Sequence, residues 1–101
     1  MSNFKVIITF TAVDDITEVF NYIAYEVGHP QTAERYREGI MQSIDKLACY
    51  ADIFAISQQP FLRRLYGTEV RTIHYKKMTI VYTIVGNTVY VHRVMASSLI
   101  R

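Results

Sequence analysis

With 101 residues, half of them apolar or aromatic and a fifth charged, the chain suits one folded domain and not a disordered tail. No apolar run approaches the roughly 18–20 residues that cross a bilayer, and the single cysteine, Cys49, excludes an intrachain disulfide. The net charge of +2 hides a split: residues 1–59 carry four basic and eight acidic side chains, whereas residues 60–101 carry seven basic ones and only Glu69.

A cationic second half attracts a polyanion or an acidic partner, although a solvated basic surface has the same composition. The start, Met1-Ser2-Asn3-Phe4-Lys5, has no basic stretch followed by a long apolar segment and a small-residue cleavage site. Cytoplasm is therefore the expected compartment, with residues 1–101 as one domain.

Residues Phe4 to Phe10 read as a buried strand because β-branched and aromatic residues dominate. Thr11 and Asp14 have capping-box spacing, and Asp14, Asp15 and Glu18 suit the positive end of a helix. Ile16, Val19, Phe20, Ile23, Ala24 and Val27 then form one helical stripe, ended by Gly28. Pro30 opens a second helix whose apolar face is Ala33, Tyr36, Ile40, Ile44, Leu47 and Ala48. With so short a link, the two helices should fold back as a hairpin.

The stretch from about Ala51 to Gly67 reads as irregular. Three strands are expected after it: Glu69–Tyr75, Met78–Val85 and Thr88–Met95. Gly86-Asn87 is a strong two-residue hairpin signal, and Lys76-Lys77 closes the other turn with less suitable residues. The expected fold class is α+β, in the order β-α-α-β-β-β. A helical hairpin packs on one face of a small, mostly antiparallel sheet.

Two-residue loops set a register. Ile80 then faces Ile73 and Arg93, and Tyr82 faces Arg71 and Val91. Alternation gives a helix-facing set of Ile73, Tyr75, Met78, Ile80, Tyr82, Ile84, Val89, Val91 and Met95, joined by Arg71 and Arg93. The opposite set is Val70, Thr72, His74, Thr79, Val81, Thr83, Tyr90, His92 and Val94. It is polar enough to stay open to water or a ligand.

A charge that faces a core must be paired. Arg71 and Arg93 should therefore hold helix carboxylates or carbonyls at the margin, or else reach past the sheet edge to a phosphate. His74 and His92 are the candidates for proton exchange, unless they are ordinary strand residues. Arg63, Arg64, Lys76, Lys77 and Tyr90 are candidates for binding a nucleic acid or another target, since aromatics beside cations stack on unpaired bases. His29 reads as a surface turn residue. No histidine or cysteine spacing suits a metal, and no nucleotide or nucleophile motif is present, so no cofactor is expected.

The order strand, helical hairpin, link and three-stranded meander resembles the RelE/ParE superfamily over nearly the whole chain. The resemblance lies in "VIITFTAVDDITEVFNYIAYEVGHPQTAERYREGI" and "EVRTIHYKKMTIVYTIVGNTVYVHRV". Within these, Arg71, Ile80-Val81-Tyr82 and His92-Arg93-Val94 stand where the family places features. The resemblance implies a cytoplasmic toxin of a bacterial type II toxin–antitoxin (plasmid stabilisation) system, wrapped by a cognate antitoxin. One branch inhibits DNA gyrase by binding. The other cleaves mRNA on the ribosome without metal, which would make the chain an endoribonuclease.

Val70, Thr72 and Thr79 stand where the RelE branch commonly has lysine or arginine. Ala96-Ser97-Ser98 replaces the ending frequent in ParE-like members. The lost basic positions tilt the reading toward inhibition of growth by binding. Ribosome-dependent mRNA cleavage stays open, as does a degenerate member that only binds its antitoxin.

Overall fold

The computed structural model describes residues 3–100; Met1, Ser2 and Arg101, the last counted above among the basic residues, lie outside them. Strand β1 (Lys5–Ile8) leads into helix α1 (Phe10–Asn21), which continues as a π-turn, Tyr22–Glu26. Helix α2 (Pro30–Asp45) returns antiparallel to it, followed by the single turn α3 (Leu47–Tyr50). Helix α4 (Pro60–Tyr66) precedes β2 (Arg71–Tyr75), β3 (Met78–Val85), β4 (Thr88–Ala96) and a 3₁₀ turn, Ser97–Leu99. The sheet order is β1-β4-β3-β2, with β1 parallel to β4 and the other pairs antiparallel. The fold is α+β on a mixed sheet, as the alternation of patterns led one to expect.

The first strand is shorter than its sequence suggests. Thr9, not Thr11, caps α1 by accepting a hydrogen bond from Ala12 N at 3.2 Å. Phe10 is therefore helical, and its side chain is 91% exposed. The capping box expected between Thr11 and Asp14 does not form, because both residues lie inside the helix. The stripe on α1 is also interrupted. The π-turn adds a residue to one helical turn, closed by Val27 N donating to Tyr22 O at 2.9 Å. That shift in phase leaves Val27, the last expected stripe member, half exposed.

The main core lies between the hairpin and the sheet. Ala12, Ile16, Ile40, Ile44 and Leu47 meet Ile80, Tyr82, Val89 and Val91, all buried. Each fully buried aliphatic side chain here contributes about 1.5–3 kcal/mol. Tyr82 donates its hydroxyl to Ala51 O at 2.7 Å, so its polar end is satisfied. Burial pushes its pKa up to about 12, with the nearby Arg71 charge working the other way.

The registers of β2 on β3, and of β3 on β4 as far as Tyr82–Val91, match the two-residue-loop reading. Beyond that point they diverge. Tyr82 faces Val91 but Val81 faces Arg93, so His92 is an extra residue and β4 carries a bulge. The bulge exchanges the faces of the strand residues after it. Val94 joins the core against the helices, whereas Met95 packs on the opposite side. Both are corrections to strict alternation. Arg93 likewise does not enter the core opposite Ile80; Val94 stands there.

The second face is not open throughout, and the link before β2 is not simply irregular. Gln59 caps α4 by accepting from Phe61 N at 3.2 Å, and Pro60 fits its first turn. This helix lays Leu62 on Val70 and Val81, and all three are buried. Val70 and Val81 replace polar residues on that face because α4 covers them. A single bridge between Ile56 and Arg71, with Ser57 N donating to Val70 O at 2.7 Å, ties the link to the sheet.

Gly39 sits inside α2, where glycine costs about 1 kcal/mol relative to alanine. The ring of Tyr75 explains it. A Cβ on Gly39 would overlap Tyr75 Cζ, Oη and Cε1. Tyr75 also meets Tyr36 edge-on, ring centres 5.3 Å apart, with Lys76 Nζ over both rings. Gly39→Ala should therefore lower stability despite its better helix propensity, by about 1–3 kcal/mol in denaturant titration. Adding Tyr75→Leu should recover part of that loss.

Candidate functional site

Strand β1 ends at Ile8, paired with Val91. Past it, β4 presents unpaired backbone groups to the start of α1. Thr9 takes two of them, its hydroxyl lying 3.0 Å from Val91 O and 3.2 Å from His92 O. Asp15, two turns into the helical segment, takes a third by accepting from Val94 N at 2.9 Å. The same carboxylate accepts from Arg93 Nε at 2.8 Å and Nη2 at 3.0 Å. Asp15 is nearly enclosed, and the bidentate bond raises the Arg93 pKa further. Arg93 is thus paired with a helix carboxylate, one of the two roles its sequence position allowed.

Arg71 follows the same logic with carbonyls. Its Nη1 donates to Phe54 O and, at 3.4 Å, to Asp52 O, holding the segment after α3 against β2. Arg63 Nη1 donates to Thr68 O at 3.2 Å and Ser57 O at 3.4 Å, which braces α4 and its flanks. Lys76 is stationed over Tyr36 and Tyr75. Arg64 and Lys77 are exposed, on α4 and in the β2–β3 turn. Tyr90 is half-buried on β4, between Thr83 and Ile7.

The two histidines lie on the face away from the hairpin, on strands separated by β3. His74 Nδ1 is 3.1 Å from Thr79 Oγ1, which in turn lies 2.7 Å from Ser97 Oγ. His92 Nε2 is 2.8 Å from Thr83 Oγ1, and its ring stacks on Tyr66 of α4 with centroids 4.7 Å apart. The structure therefore distributes the candidate residues and does not gather them around one reacting centre. His74 and Thr79 border a small cup of about 250 Å³ under α4. His92 is half-buried between Tyr66 and Thr83.

The larger concavity lies elsewhere. A groove of about 490 Å³ runs between the end of α1 with its π-turn and the ends of β3 and β4. Val19, Ile23, Met78, Val94 and Ala96 form its apolar floor and walls, and Asp15, Glu18 and Arg93 its polar margin. At its rim Tyr22 is 61% and Leu99 66% exposed. Sequence reasoning did not find this site. The available signal was the pair Tyr22 and Tyr25, aromatics off the helix stripe; the part played by Val94 depends on the bulge.

Burial lowers the His92 pKa below the ordinary histidine value of about 6.5. Protonation then favours the unfolded chain. The stability tied to this residue is present above that ordinary value and is lost as pH falls through the lower folded value. Unfolding midpoints measured between pH 7.5 and 5 should fall, and His92→Gln should flatten the decline.

Comparison with known proteins places this arrangement. No curated relative matches the chain. Among solved structures, a chain of "Chromosomal ParDE TA system from P. aeruginosa" superposes with a TM-score of 0.74. The match covers 92% of this chain and 95% of that one, at 18% identity, and so speaks for the fold. Among the described residues no helix is long and apolar enough to cross a membrane. The family model of the ParE toxin of type II toxin–antitoxin systems matches residues 6–98, spanning β1, the helical hairpin, α4 and the meander, and the chain belongs to that family.

Proposed function

We propose that this toxin acts by binding its target, with DNA gyrase as that target, and that a cognate antitoxin neutralises it in the cytoplasm. The observation that carries the reading is how the candidate cations are used. Arg71 and Arg93, which a nuclease could direct at phosphate, are occupied by Phe54 O and by Asp15. Cleavage by a 2′-hydroxyl needs a base, an acid and cations converging on one phosphate. His74 and His92 each have a ring nitrogen engaged by a threonine hydroxyl, on strands that do not adjoin. That layout favours a binding surface over ribosome-dependent mRNA cleavage. Membership in the ParE family favours the same side.

The test is induction of the gene, with supercoiling by purified gyrase and mRNA integrity read in parallel. Supercoiling should be blocked and ribosome-bound mRNA should stay intact. The variant His74→Ala, whose side chain is exposed, should remain toxic while keeping the native circular dichroism spectrum. Cleaved mRNA, lost in that variant, would favour the endoribonuclease instead. Growth unaffected by induction would point to a member that only binds its antitoxin.

A further inference from the structure

The small cup under α4 has two unlike walls. On one, His74 Nδ1, Thr79 Oγ1 and Ser97 Oγ form a chain with spacings of 3.1 and 2.7 Å, so these groups satisfy one another. On the other stand Ser57, Gln59 and Thr72, beside the apolar lining of Leu62 and Ile100. Two of these three polar side chains are fixed by backbone groups. Ser57 Oγ accepts from Gln59 N at 3.2 Å, and Gln59 Oε1 accepts from Phe61 N at 3.2 Å. The amide oxygen is therefore the cap, and the amide nitrogen is the donor left over. Ser57 is anchored further through its own backbone, with N donating to Val70 O at 2.7 Å and O accepting from Arg63 Nη1 at 3.4 Å. Thr72 is held in β2 opposite Val81. The two N–H bonds of the Gln59 amide and the hydroxyl protons of Ser57 and Thr72 reach no protein acceptor among the described residues. Half-buried donors fixed around one small space suit an acceptor-rich group.

We propose that the cup receives a glutamate or aspartate side chain of the protein target. The inference rests on the reading that this chain binds DNA gyrase, and it adds the chemistry of one contact. An ionised carboxylate only accepts hydrogen bonds, at about four lone-pair sites, which matches an amide nitrogen and two hydroxyls as donors. Its methylene stem suits Leu62 and Ile100. Among the described residues no carboxylate lines the cup, while Arg64 and Lys77 are exposed on the helix and the turn that border it. The cationic second half thus draws an acidic surface to this side, and the fixed donors hold one of its carboxylates. A nucleic-acid phosphate fits less well. Backbone phosphate is gripped chiefly by lysine and arginine, neither of which lines the cup, and Arg63 is engaged by two carbonyls. His74, exposed and bonded to Thr79, belongs to the other wall, so its loss leaves these donors in place.

The test has two arms. In the first, purified gyrase is titrated with toxin variants. Gln59→Glu keeps the capping oxygen but exchanges the donor for a second, charged acceptor, and should weaken binding about ten-fold or more. Thr72→Val removes a hydroxyl at nearly constant shape and should weaken it about five-fold. Thr88→Val, at the start of β4 and outside the cup, should leave it unchanged. Thermal unfolding of each variant separates lost binding from lost fold. In the second arm, sodium acetate is added to the free toxin and followed by nuclear magnetic resonance. The side-chain amide signals of Gln59 and the backbone signal of Thr72 should move, and sodium phosphate at equal ionic strength should move them less.

If gyrase binds the wild-type chain, Gln59→Glu and Thr72→Val equally well, this inference fails. Signals that acetate leaves in place would also overturn it. So would a larger response to phosphate, since the cup would then be a phosphate site. If the wild-type chain does not bind gyrase at all, the proposed function fails, and the acetate titration alone then decides whether the cup takes a carboxylate.

Discussion

A parallel strand that stops early creates the constraint on which this structure depends. Once β1 has ended at Ile8, paired with Val91, the backbone of β4 from His92 to Val94 has lost its strand neighbour on that side. Unpaired buried backbone groups cost about as much as a lost hydrogen bond, so something must replace the strand. The chain uses the residues that come next, Thr9 and Asp15. The strand edge is thus completed by the start of α1, and that fixes where the helical hairpin crosses the sheet.

The bulge at His92 belongs to the same device. An extra residue in β4 turns Val94 toward the helices and presents its N–H to Asp15. It also brings Arg93 to the sheet margin, where two nitrogens of its fork reach one carboxylate. On the other side the bulge sends Met95 toward α4 and sets His92 beneath Tyr66. One irregularity therefore shapes the groove on one face and the helix-covered cluster on the other. Bulges recur next to binding and catalytic sites for this reason: they re-aim side chains without breaking a sheet.

Charge is deployed in two ways. Arg71, Arg93 and Arg63 carry positive charge but use it on carbonyls and a carboxylate, joining segments that would otherwise share few contacts. The guanidinium fork suits that work because it offers several donors in fixed directions. Arg64, Lys77 and Glu18 have greater freedom at the surface. A list of basic residues therefore overstates the cations available to a ligand, and a composition count misses the anionic groove altogether.

Much of the architecture was legible along the chain. Two helical periods, one at Ile16–Ala24 and one at Ala33–Leu47, and a meander punctuated by Lys76-Lys77 and Gly86-Asn87 determine the elements and their order, because helix and strand periods are local properties. The placement of Arg71 opposite Tyr82 also followed from alternation, whereas that of Arg93 did not. Tertiary structure alone decided the rest: the cap at Thr9, the bulge at His92, the covering of Val70 and Val81 by α4, and the groove beside Glu18. Each depends on which distant segment supplies a missing hydrogen bond or apolar surface. Local spacing carries no record of that, since the partners stand up to 83 residues apart, as Thr9 and His92 do.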